Sequence, residues 1–383
     1  MSVISIVMHC YNRAYDLVNV LNAYDQQTVE EPFELIAVDD ASNDATYEVL
    51  TTYRPARFTL QVERLGENQG PAAARNRGIS LANSPLILFV GDDIVPDRRL
   101  IEGHLAAHRR YPGMSIAILG WAKWPDDLYV NTLMTHIDGV GAEQFSYFYL
   151  KDGQEYDFRH LYTANISLKA GFLKSLDQWF DTGFPYAAFE DVELSYRLSK
   201  KGLRIIYSSA LVGYHYHYHT IWSFSKRQYR SGLMGCILVR KHPDLGPIIK
   251  GEYWPLRKML WKIKAYSRIQ SPDCVDRLEA QVLHLASAYE TTPHKLLDTL
   301  YVKTLNYFFR KGLIDGTFGE TELSRRVRSE LAQKDLAPLL AWFIQESERF
   351  KEPLPKGYGP WMLDGLYKFG GERQSSKRYS TFS

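Results

Sequence analysis

Two apolar runs in this chain end in adjacent carboxylates: Phe33–Val38 leads into Asp39-Asp40, and Leu86–Val90 leads through Gly91 into Asp92-Asp93. Neighbouring acids repel unless something positive neutralises them. A divalent cation carrying a diphosphate is one such partner, because hard cations prefer oxygen ligands. The local alternative is a turn begun by Asp92 and a helix cap from Asp93 near Asp97. Further on, Tyr214-His215-Tyr216-His217-Tyr218-His219 alternates ring types. In a strand the three histidines would share one face, the pattern of a metal site. The alternatives are an aromatic-rich loop, or a three-histidine zinc site with no fourth ligand in view.

These residues need elements to hold them. Residues 3–8 read as a first strand, followed by helical spacing at Ala14, Leu17, Val18, Leu21 and Tyr24. Phe33–Val38 is a second strand, and Ser42 or Asn43 is the expected cap of a helix through Tyr47 and Leu50. Phe58–Val62 is a third strand, before a helix opened by Pro71. Leu86–Val90, bounded by turn residues, reads as a fourth strand buried on both faces. Pro96-Asp97 is expected to open the next helix, and strands at Tyr162–Leu168 and Leu203–Tyr207 flank a helix beginning near Phe189. Strands alternating with helices predict an α/β, mostly parallel sheet with right-handed crossovers. Ligands of such sheets collect beyond the carboxyl ends of the strands, where both acid pairs fall.

From about residue 120 the chain turns aromatic and irregular, and from about 222 it is helical without strand–helix alternation. The expected domains are 1–221, a helical region 222–369, and a Gly-, Ser-, Lys- and Arg-rich tail 370–383 expected to be disordered. With 45% hydrophobic and 23% charged residues, the 383-residue chain can bury a core. A net charge of +2 gives no nucleic-acid signature. Three scattered cysteines, Cys10, Cys236 and Cys274, point to a reducing compartment. The opening residues read as strand rather than signal peptide, and no apolar run approaches the roughly 20 residues of a membrane span.

Taken in order, the motifs resemble family 2 glycosyltransferases of the GT-A fold over roughly residues 3–235. Ser5-Ile6-Val7-Met8-His9-Cys10-Tyr11-Asn12-Arg13 is similar to the family's opening strand and Tyr-Asn-Arg loop. Val38-Asp39-Asp40-Ala41-Ser42 resembles its Val-Asp-Asp-Gly-Ser segment. Asn68-Gln69-Gly70-Pro71-Ala72-Ala73-Ala74-Arg75-Asn76-Arg77-Gly78 resembles Asn-x-Gly-x-x-x-Ala-Arg-Asn-x-Gly. Asp92-Asp93 stands at the Asp-x-Asp position, Thr163-Ala164-Asn165 resembles the acceptor-side strand, and Glu190-Asp191 resembles the Glu-Asp pair. Two departures stand out: Gly91 where the family often has Asp, and His9-Cys10 where it usually carries Thr or Ser.

The resemblance implies a metal-dependent, inverting transfer of a sugar from a nucleotide-diphosphate donor to a hydroxyl acceptor. Its implied catalytic residues are Asp191 as base and Glu190 beside it; the local alternative for Asp191 is a helix cap. Implied nucleotide contacts are His9, Tyr11, Arg13, Asp39, Asp40, Asn68, Arg75 and Asp92. Mn²⁺ or Mg²⁺ is expected on Asp93 with His215, and His217 as the next choice. Asn165 and Trp121 are expected on the acceptor side. The acceptor is expected to be a glycan or a lipid-linked species, met in the cytoplasm or at the inner face of a membrane. Rival readings are a sugar-phosphate nucleotidyltransferase and a non-catalytic nucleotide-sugar or glycan-binding module. Finally, Leu256, Met259, Leu260 and Ile263 line one helical face among Lys258, Lys262 and Lys264. A basic amphipathic helix over 250–270 would suit an anionic membrane surface.

Overall fold

Strand β1 (Ile4–Cys10) lies between β2 (Glu34–Asp39) and β4 (Leu86–Gly91), parallel to both, and β3 (Thr59–Arg64) extends the parallel set beyond β2. The structure, a computed structural model, describes residues 2–140, 143–250 and 272–359 together with residue 362. Beyond β4 the sheet turns mixed. β8 (Asn165–Lys169) runs antiparallel to β4, and β6 (Ile116–Lys123) antiparallel to β8. β9 (Arg204–His215) lies parallel to β6, with β5 (Ile94–Pro96) and β7 (Glu155–Tyr156) antiparallel on β9. The path is β3-β2-β1-β4-β8-β6-β9-β5.

The two-residue period of a strand explains the two layers of core. Ile4, Ile6, Met8 and Cys10 pack with Leu35, Leu88 and Val90 against α1 (Ala14–Asp25) and α4 (Leu100–Arg110) through Leu17, Tyr24, Ile101 and Leu105. Val7, Ile36, Val38, Ile87 and Phe89 pack against α3 (Pro71–Leu81) and α7 (Glu190–Ser199) through Ala72, Ile79, Leu194 and Leu198. Covered on both faces, these strands read as near-continuous apolar runs. Short helices α2 (Thr46–Thr52), α5 (Thr132–Gly139) and α6 (Ala170–Leu173) complete the set before the helical region.

Local details depart from expectation. Neither Ser42 nor Asn43 caps α2: Asp44 Oδ1 accepts from Thr46 N–H at 2.9 Å, while Ser42 Oγ accepts from Asn12 N–H at 3.0 Å. Pro96 closes β5 rather than opening a helix, since α4 starts at Leu100. A proline lacks the N–H of the ladder and is tolerated on such a terminal strand. β9 does not stop at Tyr207 but runs on through Ser208-Ser209 to His215, and its pairing with β6 is irregular between Leu119 and Trp121. It ends there, so His217 and His219 stand beyond the strand and the three histidines do not share one strand face.

The chain divides into two compact units, Met1–Val130 with Ile137–Tyr218, and Asn131–His136 with His219–Ser383. In the second, α8 (Ile221–Lys241) is opened by a capping box between Thr220 and Ser223. It is followed by α9 (Gly246–Lys250), α10 (Pro272–Ala288), α11 (Leu297–Phe318) and α12 (Glu322–Arg349). Helices α8 and α11 cross at backbone contact. A Cβ on Gly232 would come within 2.0 Å of Phe309 O, and one on Gly312 within 2.0 Å of Tyr229 O. Any larger residue at either position forces the helices apart. Among the described residues no helix is long and apolar enough to cross a membrane. Of the expected basic helix, residues 251–270 lie outside the described residues, as does the tail 370–383.

Candidate active site

The acids of Asp92-Asp93 emerge where β4 ends, and the hairpin-like return through β5 sets what faces them. Ile94 lies opposite His215 in the β5–β9 pairing, and Tyr216 N–H donates to Asp93 O at 2.9 Å. This register brings His215 Nε2 to 3.5 Å and His217 Nδ1 to 2.9 Å from Asp93 Oδ2. The ligand atoms of Asp93, His215 and His217 all lie within 4.8 Å of one another, the one such group of three among the described residues. Gly91 belongs to this packing, because a Cβ there would approach Asp93 Oδ1 to 2.7 Å. His219 belongs to the second unit, where it is buried edge-on to Phe224.

Arg13, expected among the nucleotide contacts, enters the same cluster. Its Nη2 donates to Asp93 Oδ2 at 3.0 Å and lies 2.7 Å from His217 Nδ1; its Nε is 3.6 Å from Asp92 Oδ1. Guanidinium only donates. If His217 Nδ1 accepts from Arg13, its lone pair cannot also serve as donor to Asp93 Oδ2. If it is protonated toward Asp93, two donors face each other at Arg13. His217 Nδ1 therefore cannot serve Arg13 and Asp93 at once, and a carboxylate with two imidazoles would suit a divalent cation as ligands. The residues therefore fit a metal. Burial pushes the Asp93 carboxyl up, but His215, His217 and Arg13 outweigh it and hold it well below the ordinary range. Burial and then Asp93 push Asp92 up to about 7, against Arg13.

A second acidic pair heads α7. Phe189, just before it, is left-handed at φ 66°, a strained conformation for a bulky residue and one that clusters at functional sites. Glu190 is buried, its Oε1 accepting from Arg75 Nη1 at 2.8 Å, and among the described residues its Oε2 has no hydrogen-bond partner. Asp191 Oδ1 accepts from the adjacent Val192 N–H at 2.8 Å. Burial, then the neighbouring Glu190, raises the Asp191 carboxyl to about 7, with Arg75 opposing.

The remaining expected contacts form the rim at the ends of β1 and β2. Asp40 is buried and accepts from Gln69 N–H at 2.8 Å and Gly70 N–H at 2.9 Å, with His9 Nε2 at 3.5 Å. Burial lowers the His9 imidazole, against Asp40. Asp39 accepts from Ser42 N–H at 3.3 Å and pairs with Arg64 at 3.2 Å. Tyr11 N–H donates to Asp92 Oδ2 at 3.0 Å. Asn68 is exposed on the loop whose amides Asp40 holds.

Asn165, expected on the acceptor side, lies within the sheet. It is fully buried, with Nδ2 donating to Leu211 O at 2.9 Å and Oδ1 3.0 Å from His104 Nε2. That assigns the proton to His104 Nε2; Ser167 Oγ then donates to His104 Nδ1 and accepts from His108 Nε2, each at 2.8 Å. Burial lowers the two histidines to about 4 and about 3, so they are neutral and the network is structural. Trp121 is half-buried on β6, its ring below Lys123 Nζ at 5.6 Å. Sequence reasoning passed over Trp124, which stacks on His215 at 4.9 Å, and Phe145, 6.2 Å from the same ring. Only the β6–β9 pairing brings Trp124 there, and nothing local in the sequence announces it.

Residues 5–180 match the family described as Glycosyl transferase family 2. The validoxylamine A glucosyltransferase of Streptomyces hygroscopicus subsp. jinggangensis is 29% identical over 274 residues, 64% of this chain and 62% of the relative. The poly(ribitol-phosphate) beta-glucosyltransferase of Bacillus spizizenii is 36% identical over 102 residues, 26% of this chain and 16% of the relative. The chain thus spans less than two thirds of the length of these relatives. Among solved structures, the mannosyltransferase PcManGT from Pyrobaculum calidifontis, in complex with GDP-Man and Mn²⁺, is 16% identical. It superposes with a TM-score of 0.50, covering 83% of this chain and 88% of the other, a likeness of fold. The motif order, the GT-A sheet and the match agree: residues 5–180 are similar to glycosyl transferase family 2.

Proposed function

We propose that the chain is a metal-dependent, inverting glycosyltransferase that moves a sugar from a nucleotide-diphosphate donor to a hydroxyl of a growing polysaccharide or glycoconjugate. The observations that carry the reading are the convergence of Asp93, His215 and His217 within 4.8 Å and the raised carboxyl of Asp191 at the head of α7. Asp93, His215 and His217 would hold Mn²⁺ or Mg²⁺. When bound, the ion neutralises the charge that develops on the departing diphosphate. Arg13 adds a second positive charge at that place. His9, Tyr11, Asp39, Asp40, Asn68, Arg75 and Asp92 form or brace the nucleotide side. Asp191 takes the proton of the acceptor hydroxyl as its oxygen bonds to the anomeric carbon and the bond to the diphosphate breaks. A single in-line displacement inverts the anomeric centre. Glu190, anchored by Arg75, keeps a negative charge beside Asp191 and raises its basicity.

On this reading residues 1–221 carry the transfer and residues 222–369 form a helical appendage. Relatives named for glucosyl transfer and for a poly(ribitol-phosphate) acceptor support a polymer or glycoconjugate product. The site is cytoplasmic, and the basic 250–270 sequence would meet the membrane where acceptors are lipid-linked. Titration calorimetry with UDP, GDP and TDP in Mn²⁺ and in EDTA, followed by turnover with the matching sugar nucleotides, tests the proposal. Diphosphate binding that needs Mn²⁺ and inverted product support it; full turnover in EDTA defeats the metal assignment.

A further inference from the structure

The helical unit contains a cavity of about 580 Å³, a volume in the range of ligand sites. Its wall combines three rings, Trp222, Tyr229 and Phe308, with three cations, Lys226, Lys311 and Arg328. Two of the cations are held from behind. Asp315, largely buried, accepts from Arg328 Nη1 at 3.3 Å, from Tyr229 Oη at 2.9 Å and from Ser324 Oγ at 2.7 Å. Glu279 accepts from Lys311 Nζ at 2.7 and 2.8 Å and from Tyr307 Oη at 2.6 Å. Because α8 and α11 touch at Gly232 and Gly312, Tyr229 and Phe308 are fixed on facing rigid helices. Lys226 has no carboxylate partner among the described residues. The lining itself carries three cations and no carboxylate, and each braced cation keeps N–H groups beyond those its acid accepts.

Rings beside cations suit a ligand with C–H faces and regularly spaced negative charge. We propose that this cavity binds an anionic carbohydrate segment, a sugar or polyol chain carrying phosphate or carboxylate groups, apart from the transfer centre. The inference rests on the transferase reading only in taking that segment to be part of the acceptor. Lys226 is the charge that engages the ligand without structural duty, and Trp222, 41% exposed, is the stacking ring.

The test uses the full chain, with tryptophan fluorescence and calorimetry as readouts. A short glycerol-phosphate oligomer and a uronate-containing oligosaccharide distinguish phosphate from carboxylate recognition. A neutral dextran oligosaccharide, oligothymidylate and anionic phospholipid vesicles are the controls. At least one of the two anionic carbohydrates should bind, with the dextran, the oligothymidylate and the vesicles weaker. Lys226→Glu should weaken that binding at least about tenfold, the scale of a lost hydrogen bond to a charged group. Trp222→Ala should weaken it too; Lys226→Glu should keep wild-type melting temperature, and both variants should keep diphosphate affinity. Oligomer affinity unchanged in Lys226→Glu overturns the proposal. So does preferential binding of oligothymidylate or vesicles, which would make the cavity a nucleic-acid or headgroup site. A protein that binds the oligomer but no nucleoside diphosphate defeats the transferase reading and leaves this site standing.

Discussion

Asp92-Asp93 and Glu190-Asp191 are both adjacent carboxylates at element ends, and their neighbours differ. Asp93 is ringed by two imidazoles and a guanidinium, which hold it ionised. Asp191 forms no ion pair among the described residues; its neighbour Glu190 takes Arg75, and burial followed by the charge so held raises Asp191. On the proposed reading, equal chemistry in the chain becomes a cation-holding group in one place and a proton-taking group in the other. The comparison teaches that the role of an acid pair is set by what the tertiary pairing brings against it.

Asp191→Asn breaks the comparison most strongly. It should lower kcat by about 10²–10⁴, the range for a lost general base, with donor affinity unchanged. Donor affinity lost at wild-type kcat would make Asp191 structural. The same carboxyl gives the wild type its pH dependence. A base raised to about 7 must be deprotonated to act, so kcat should fall about tenfold per unit below that pH, and Asp191→Asn should lack this limb. Asp93→Asn comes next: kcat/KM should fall by about 10²–10³, as when a preorganised electrostatic contact to a developing charge is removed. Calorimetric diphosphate binding should lose its response to Mn²⁺. If it keeps that response, the cation sits elsewhere.

Asn165→Ala sharpens the contrast between site polarity and core polarity. It strands Leu211 O and the N–H of His104 inside the sheet, a change costing about 1–3 kcal/mol in urea unfolding, with acceptor KM unchanged. A raised acceptor KM at full stability would return Asn165 to the acceptor side.

The alternation of strand and helix, the apolar strands β1, β2 and β4 and the acid pairs were legible because buried parallel strands are written as local apolar runs. What was hidden depends on pairing across long sequence distances. Ser208-Ser209 masked the continuation of β9, and so the end of the strand at His215. The Trp124–His215 stack, the entry of Arg13 among the metal candidates and the burial of Asn165 each join residues from separate strands or loops. No window of the sequence contains both partners.

A third pair, Asp39-Asp40, offers the smallest test. Its oxygens accept from the Ser42, Gln69 and Gly70 amides beside the contacts to Arg64 and His9, and so hold the shape of the loops that follow the strands. That shape sets Ala41 at φ 55°, left-handed, where the similar family segment has Gly. A Cβ in that region costs roughly 1–2 kcal/mol. Glycine removes the clash but gives the unfolded chain more freedom, which offsets about 0.4–1 kcal/mol. Ala41→Gly should therefore stabilise the protein by up to about 1 kcal/mol, a rise of roughly 2–4 °C in Tm for a domain of about 200 residues. Diphosphate affinity should stay the same, because the amides that bind Asp39 and Asp40 stay in place. A lower Tm would mean that the Ala41 methyl makes packing worth more than the strain. An unchanged Tm with weaker diphosphate binding would mean that rigidity of this loop, rather than the acids it carries, sets donor affinity.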